Sequence, residues 1–138
     1  MKLKNEILFK NFLIYGFGKS GISSLKYLKK KNRCFIFDDD KKKIKNNYKK
    51  FLISKSKLLN NNFDYIVISP GININRCQLS NYLKKNQKKV ITDFDIFYKF
   101  NPEVLTITIT GTNGKSTTSK LLYDILKKHR YDTRLTGN

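Results

Sequence analysis

The chain is poor in the residues from which many reactive sites are built. Cysteine occurs only at Cys34 and Cys77 among 138 residues. The two have no metal-type spacing and no neighbouring ligand cluster, so two reduced thiols are expected. The one histidine, His129, falls at the end of a helical pattern, where a cation is favourable. It reads as a surface residue and not as a catalytic one. No apolar run approaches the roughly 20 residues of a membrane-spanning helix. The opening residues, Met1-Lys2-Leu3-Lys4-Asn5-Glu6, lack the apolar region and cleavage site of a secretory leader. A cytoplasmic protein is the expectation.

Acidic residues are also few, 10 against 29 lysines and arginines, for a formal net charge of +19. Such a charge raises the possibility of nucleic acid as a partner, with steeply salt-dependent binding. Arginine argues against it, being confined to Arg33, Arg76, Arg130 and Arg134. The lysines lie in short blocks at 29–31, 41–43, 49–50, 84–85 and 88–89, at helix ends and in loops. Together with abundant Asn, Ile, Phe and Tyr, they reflect the compositional bias of an AT-rich genome. A solvated surface is expected, with no nucleic-acid partner, although its charge would help attract polyphosphate ligands.

What the chain does contain is two glycine turns placed between strands and helices. The more specific is Leu105-Thr106-Ile107-Thr108-Ile109-Thr110-Gly111-Thr112-Asn113-Gly114-Lys115-Ser116-Thr117-Thr118. Alternation of β-branched residues predicts a strand that stops at Gly111. Residues 119–129 then predict a helix with Leu121, Leu122, Ile125 and Leu126 on one face. A strand, a glycine loop and a helix N-terminus make a phosphate site, because successive amides converge on the anion. Lys115 would reach the β/γ-phosphates, and Ser116 would offer its hydroxyl to Mg²⁺. The standard spacing requires glycine where Ile109 stands, so the match is incomplete.

The second turn comes earlier. The apolar run Phe12-Leu13-Ile14-Tyr15 ends in Gly16-Phe17-Gly18-Lys19-Ser20-Gly21. A helical pattern follows with Ile22, Leu25, Tyr27 and Leu28. Cys34-Phe35-Ile36-Phe37 is a second apolar run, closed by Asp38-Asp39-Asp40. This is a βαβ unit with G-x-G-x-x-G at its first turn and an acid about 20 residues on, the layout of a dinucleotide-type site. Gly16 permits the tight turn, Gly18 lets the backbone approach a diphosphate, and Gly21 lets helix and strand pack closely.

Between the two, residues 41–50 predict a loop or short helix and 51–53 a small strand. Asp64-Tyr65-Ile66-Val67-Ile68 predicts a strand, ending in Ser69-Pro70-Gly71-Ile72. That turn lies at the carboxyl edge, where open α/β sheets take ligands. Residues 79–85 predict a helix with Leu79, Tyr82 and Leu83 inward, and Val90-Ile91 a brief strand. Asp93 is a suitable N-cap for a further helix. Asn101-Pro102 breaks the chain, giving domains at 1–100 and 101–138. Thr133-Arg134-Leu135-Thr136 predicts one more strand. The fold class is therefore α/β: a Rossmann-like parallel-sheet domain, then the first strand–loop–helix of a P-loop ATP-binding domain.

Three motifs in this order, Gly16-Phe17-Gly18-Lys19-Ser20-Gly21, Ser69-Pro70-Gly71-Ile72 and residues 110–117, resemble the Mur ligases of peptidoglycan synthesis, in particular the branch that adds D-glutamate. The resemblance covers essentially the whole chain and absorbs the missing glycine at 109. It implies a cytoplasmic ATP-dependent ligase that forms a C–N bond between UDP-N-acetylmuramoyl-L-alanine and D-glutamate by way of an acyl phosphate. ATP and Mg²⁺ are the implied cofactors, and a monomer is expected. The resemblance places Gly18, Lys19 and Ser20 near the diphosphate, Asp38 and Asp39 near the uracil, and Gly71 facing the UDP. Asn138 falls in a Gly-Asn pair that, as the resemblance implies, would contact the UDP substrate. Gly111, Thr112, Asn113, Gly114, Lys115, Ser116 and Thr117 would hold the ATP phosphates, with Lys115 catalytic and Ser116 on the metal. Asp95 departs from the family's usual Glu. The family's further metal ligands and C-terminal domain fall beyond residue 138, so a fragment or truncated product, inactive alone, is expected. The competing readings are another Mur ligase adding a different amino acid, and a NAD(P)-binding Rossmann module with no use for residues 111–117.

Overall fold

Four short, largely apolar runs pair side by side, successive side chains pointing to opposite faces. A computed structural model gives the fold of residues 8–40, 42 and 44–136. The chain forms two compact units, Met1–Glu103 and Val104–Asn138.

In the first unit, β1 (Asn11–Tyr15), β2 (Arg33–Phe37), β3 (Tyr65–Ile68) and β4 (Val90–Ile91) make one sheet in the order β2-β1-β3-β4. All pairings are parallel, with Ile14 opposite both Ile36 and Val67. A parallel sheet is covered on both faces, which explains why these strands read as continuous apolar runs. On one face Phe12, Ile14 and Ile36 pack with Leu25 and Leu28 of α1 (Lys19–Leu28) and Ile96 of α4 (Asp93–Phe100). On the other, Leu13, Tyr15 and Phe37 pack with Leu58 of α2 (Lys55–Leu59) and Leu83 of α3 (Ser80–Lys85). Each such fully buried side chain contributes about 1.5–3 kcal/mol.

Local chemistry sets the ends of the helices. At the end of α1, the Asn32 side-chain amide donates to the Leu28 carbonyl at 3.0 Å, and its oxygen accepts from the Lys10 amide at 3.0 Å. That bond ties the helix exit to the entry of β1. The inward face of α1 is Gly21, Ser24, Leu25 and Leu28. Tyr27 is exposed and meets Phe100 of α4 edge-to-face at 4.8 Å. The N-cap of α4 is Thr92, not Asp93: its hydroxyl accepts from the Asp95 amide, and the Asp95 carboxylate accepts from the Thr92 amide at 2.6 Å. This capping box gives Asp95 a role the shorter acid can fill. Residues 51–53 form an isolated bridge from Leu52 to Ile36 beside β2, not a strand. Part of the 41–50 segment is a 3-10 helix, Asn46–Phe51, while Lys41 and Lys43 lie outside the described residues.

The second unit contains α5 (Lys115–Lys128). The strands expected at 105–110 and 133–136 do not form among the described residues. Their Thr/Ile alternation suits a pleated, half-buried surface, and strand propensity is expressed only where neighbours supply one. Leu105 is 96% exposed, and no residue of α5 is buried. The helix rests on local signals: an N-cap glycine and a Lys120–Asp124 ion pair one turn apart at 2.8 Å. Among the described residues no helix is long and apolar enough to cross a membrane.

Candidate functional site

Strand order fixes where the first unit can take a ligand. From β1 the chain moves outward to β2, then returns across β1 to reach β3. This reversal leaves a crevice outside the carboxyl ends of β1 and β3. Three turns meet there: residues 16–21, 38–40 and 69–72.

The first turn is built from constraints that glycine alone satisfies. Gly16 has φ +86°, and a Cβ on it would lie 3.0 Å from the side chains of Ile72 and Ser69. A Cβ on Gly21 would lie 2.2 Å from the Gly16 carbonyl oxygen, so α1 approaches the turn as closely as backbone allows. Two bonds across the crevice hold the strand ends together. The Ser69 hydroxyl donates to the Gly16 carbonyl at 2.6 Å, and the Ser69 amide to the Tyr15 carbonyl at 3.0 Å.

Gly18, by contrast, faces open space, as does Gly71. Gly18 is the N-cap of α1, which has no side-chain cap and no acid in its first turn. Its leading amides and the positive end of the helix dipole are therefore available to an anion. Lys19 is exposed beside them, whereas the Ser20 hydroxyl donates to the Asp93 carboxylate and links the starts of α1 and α4.

The acids after β2 divide their tasks. Asp38 accepts from the Phe17 amide at 2.6 Å through one oxygen and from the Asp40 amide at 2.8 Å through the other. It clamps the glycine turn after β1 to the 38–40 turn after β2. Asp39 is exposed and accepts from the buried Tyr15 hydroxyl at 2.8 and 3.0 Å. Burial above all, then the neighbouring Cys77 thiol and the Asp39 carboxylate, push the Tyr15 hydroxyl far above its usual range, so it donates as a neutral phenol. Burial likewise raises the Cys34 thiol from 9.0 to about 12. The sequence reading missed the Asp38 clamp, the Ser69 crossbond and the polar end of Tyr15. Tyr15 gave one available signal, a phenol ending an apolar strand run, since a buried hydroxyl needs a partner.

The second turn belongs to the second unit. Gly111 has φ +151°, and Gly114, at φ +76°, is the left-handed N-cap of α5 with open space beside it. The Lys115 ammonium lies over the loop, donating to the Gly111 carbonyl and, at 3.1 Å, to the Thr112 carbonyl. Ser116 and Thr117 are exposed. The first turn of α5 carries no acid, so it presents uncapped amides and a lysine together. For a Mg²⁺-bound triphosphate the fit is that of a phosphate cradle with one hydroxyl ligand. Among the described residues no group of three or more His, Cys, Asp or Glu side chains could hold a metal unaided, so phosphate oxygens and water would complete the shell. Asn138 lies outside the described residues.

A family model described as "Mur ligase MurD-like, N-terminal domain" matches residues 10–92. The chain belongs to the MurD-like Mur ligases. The match runs from the start of β1 to the N-cap of α4, taking in all three turns of the first unit. Curated relatives extend the likeness into the second unit. A UDP-N-acetylmuramoylalanine–D-glutamate ligase of Rickettsia bellii is 33% identical over 132 residues, 93% of this chain and 29% of that protein. Enzymes of the same name from Clostridioides difficile and Caldicellulosiruptor bescii are 31% and 34% identical over 139 residues, 94% of this chain and 31% and 30% of theirs. The chain thus spans about three-tenths of the length of the curated relatives it matches.

Proposed function

We propose that the first unit binds the UDP portion of UDP-N-acetylmuramoyl-L-alanine, and that residues 111–117 open the ATP site of a ligase adding D-glutamate to it. The observation that carries this reading is the uncapped start of α1 at Gly18, open to an anion and set at the switch point of a MurD-like domain. Gly18 and Lys19 would face the diphosphate and Gly71 the same substrate. Ser20 would approach it only while shared with Asp93. Asp39, exposed and held by Tyr15, would meet the uracil, and Asp38 would shape the turn from behind. Asn138 would contribute from the Gly-Asn pair.

In the reaction so proposed, the substrate carboxylate attacks the γ-phosphorus of ATP, giving an acyl phosphate and ADP. The D-glutamate amine then attacks the acyl carbon, and the tetrahedral adduct expels phosphate. Gly111, Thr112, Asn113, Gly114 and Thr117 would cradle the polyphosphate through main-chain amides. Lys115 would neutralise charge on the transferring phosphoryl group, and Ser116 would ligate Mg²⁺. Calorimetric titration of the chain with UDP-N-acetylmuramoyl-L-alanine and with NAD⁺ tests the first half. Saturable binding of the UDP-sugar and none of NAD⁺ is expected. Binding of NAD⁺ alone would mean a dinucleotide module instead.

A further inference from the structure

We propose that Tyr15 is a positioning residue that sets base specificity at the nucleotide site, by holding the Asp39 carboxylate on the rim of the crevice. The inference rests on the reading of this edge as a UDP site. Tyr15 ends β1 with its ring wholly buried, edge-on to Phe37 at 5.5 Å. An aliphatic or phenylalanine side chain would suit that apolar surrounding equally well. The hydroxyl is an added polar atom in the core, and it reaches both oxygens of Asp39, at 2.8 and 3.0 Å. One donor shared between two oxygens holds the carboxylate head in place at the end of β2.

Asp39 remains exposed, with acceptor capacity directed to solvent. Its neighbour Asp38 has each oxygen on a main-chain amide. A carboxylate fixed at the end of β2 accepts from the N3–H that uracil presents between two carbonyls. Cytosine carries a lone pair at that position and is repelled. Tyr15 therefore acts through Asp39 on the choice of base and not on the phosphates.

UDP and CDP titrated calorimetrically into the chain, its Y15F variant and its D39N variant separate the possibilities. The unaltered chain is expected to prefer UDP by about tenfold, the worth of one charge-assisted hydrogen bond. In Y15F the affinity for CDP stays within about twofold while that for UDP falls about fivefold, as expected for a loosened rather than a lost partner. D39N abolishes the preference, because an amide can serve either base. A Y15F variant that keeps the original UDP-to-CDP ratio overturns the role of Tyr15 and leaves the nucleotide site standing. Should Y15F not fold by circular dichroism, D39N decides: an unchanged ratio overturns the inference, and a lost ratio upholds it. If the unaltered chain binds neither nucleotide, the site reading itself falls and takes the inference with it.

Discussion

Adding one methyl group at Gly21 and one at Gly18 should have opposite consequences. At Gly21 the new Cβ would sit 2.2 Å from the Gly16 carbonyl oxygen and 3.2 Å from its carbon, both backbone atoms. Ordinary carbon–oxygen contact begins more than 1 Å further out, on the order of 3.3 Å, so α1 must shift away from the end of β1. Such overpacking costs about 1–3 kcal/mol, partly offset by up to about 1 kcal/mol of helix propensity gained on replacing glycine. The shift also pulls Leu25 and Leu28, which are 0% and 1% exposed, out of register with Phe12 and Ile14. A net loss of about 2 kcal/mol is expected for Gly21→Ala, read as a lower urea midpoint by far-ultraviolet circular dichroism. At Gly18 the Cβ meets nothing within 4 Å, and φ is −80°, a value any residue adopts. Gly18→Ala should stay within about 1 kcal/mol of the unaltered chain. It should nevertheless lose UDP affinity at least tenfold, because the methyl group occupies the approach of a phosphate. A Gly21→Ala protein with an unchanged midpoint, or a Gly18→Ala protein that binds UDP normally, would refute the argument.

Other consequences are more local. Thr92→Ala removes the capping box of α4 and should cost about 1 kcal/mol in urea denaturation, whereas Asp93→Ala should leave that cap intact while releasing Ser20. Asp38→Asn leaves only one oxygen to serve the Phe17 and Asp40 amides, and a loss of about 1–2 kcal/mol is expected by the same assay. Lys115→Ala should leave the circular dichroism spectrum unchanged, since the side chain is exposed, but abolish ATP binding measured by calorimetry. Stability should decline in alkali. The Cys34 thiol titrates near 9.0 when exposed and at about 12 when folded. The unfolded chain therefore releases its proton first, and the contribution present below pH 9 is lost between pH 9 and 12. Thermal melts across that range should show a falling midpoint that Cys34→Ala flattens, with the similarly raised Tyr15 adding to what remains.

The strand and helix content of the first unit was legible because its buried strands are uninterrupted apolar runs and its turns carry glycine. The G-x-G-x-x-G turn was read with each glycine in its structural role, and the open Gly18 and crowded Gly21 match that assignment. Bonds that join distant segments left little trace in the sequence. Ser69 to Gly16, Asp38 to Phe17 and Ser20 to Asp93 each span more than twenty positions, and no periodicity reports them. The edge contact of Tyr27 with Phe100 likewise joins distant segments and has no signal in the helical spacing. Residues 105–110 failed as a strand for a different reason. Their pattern records a sheet surface, and the ladder that would realise it is not formed among the described residues.

The most direct test of the central claim, that this MurD-like unit holds a uridine diphosphate group at the carboxyl edge of its sheet, is a titration of the ¹⁵N-labelled chain with UDP followed by amide NMR. The amides of residues 16–21, 38–40 and 69–72 should move together and saturate with one dissociation constant, while those of α2 and the starts of the strands stay in place. Saturable shifts centred elsewhere, or no shifts at millimolar UDP, would contradict the account.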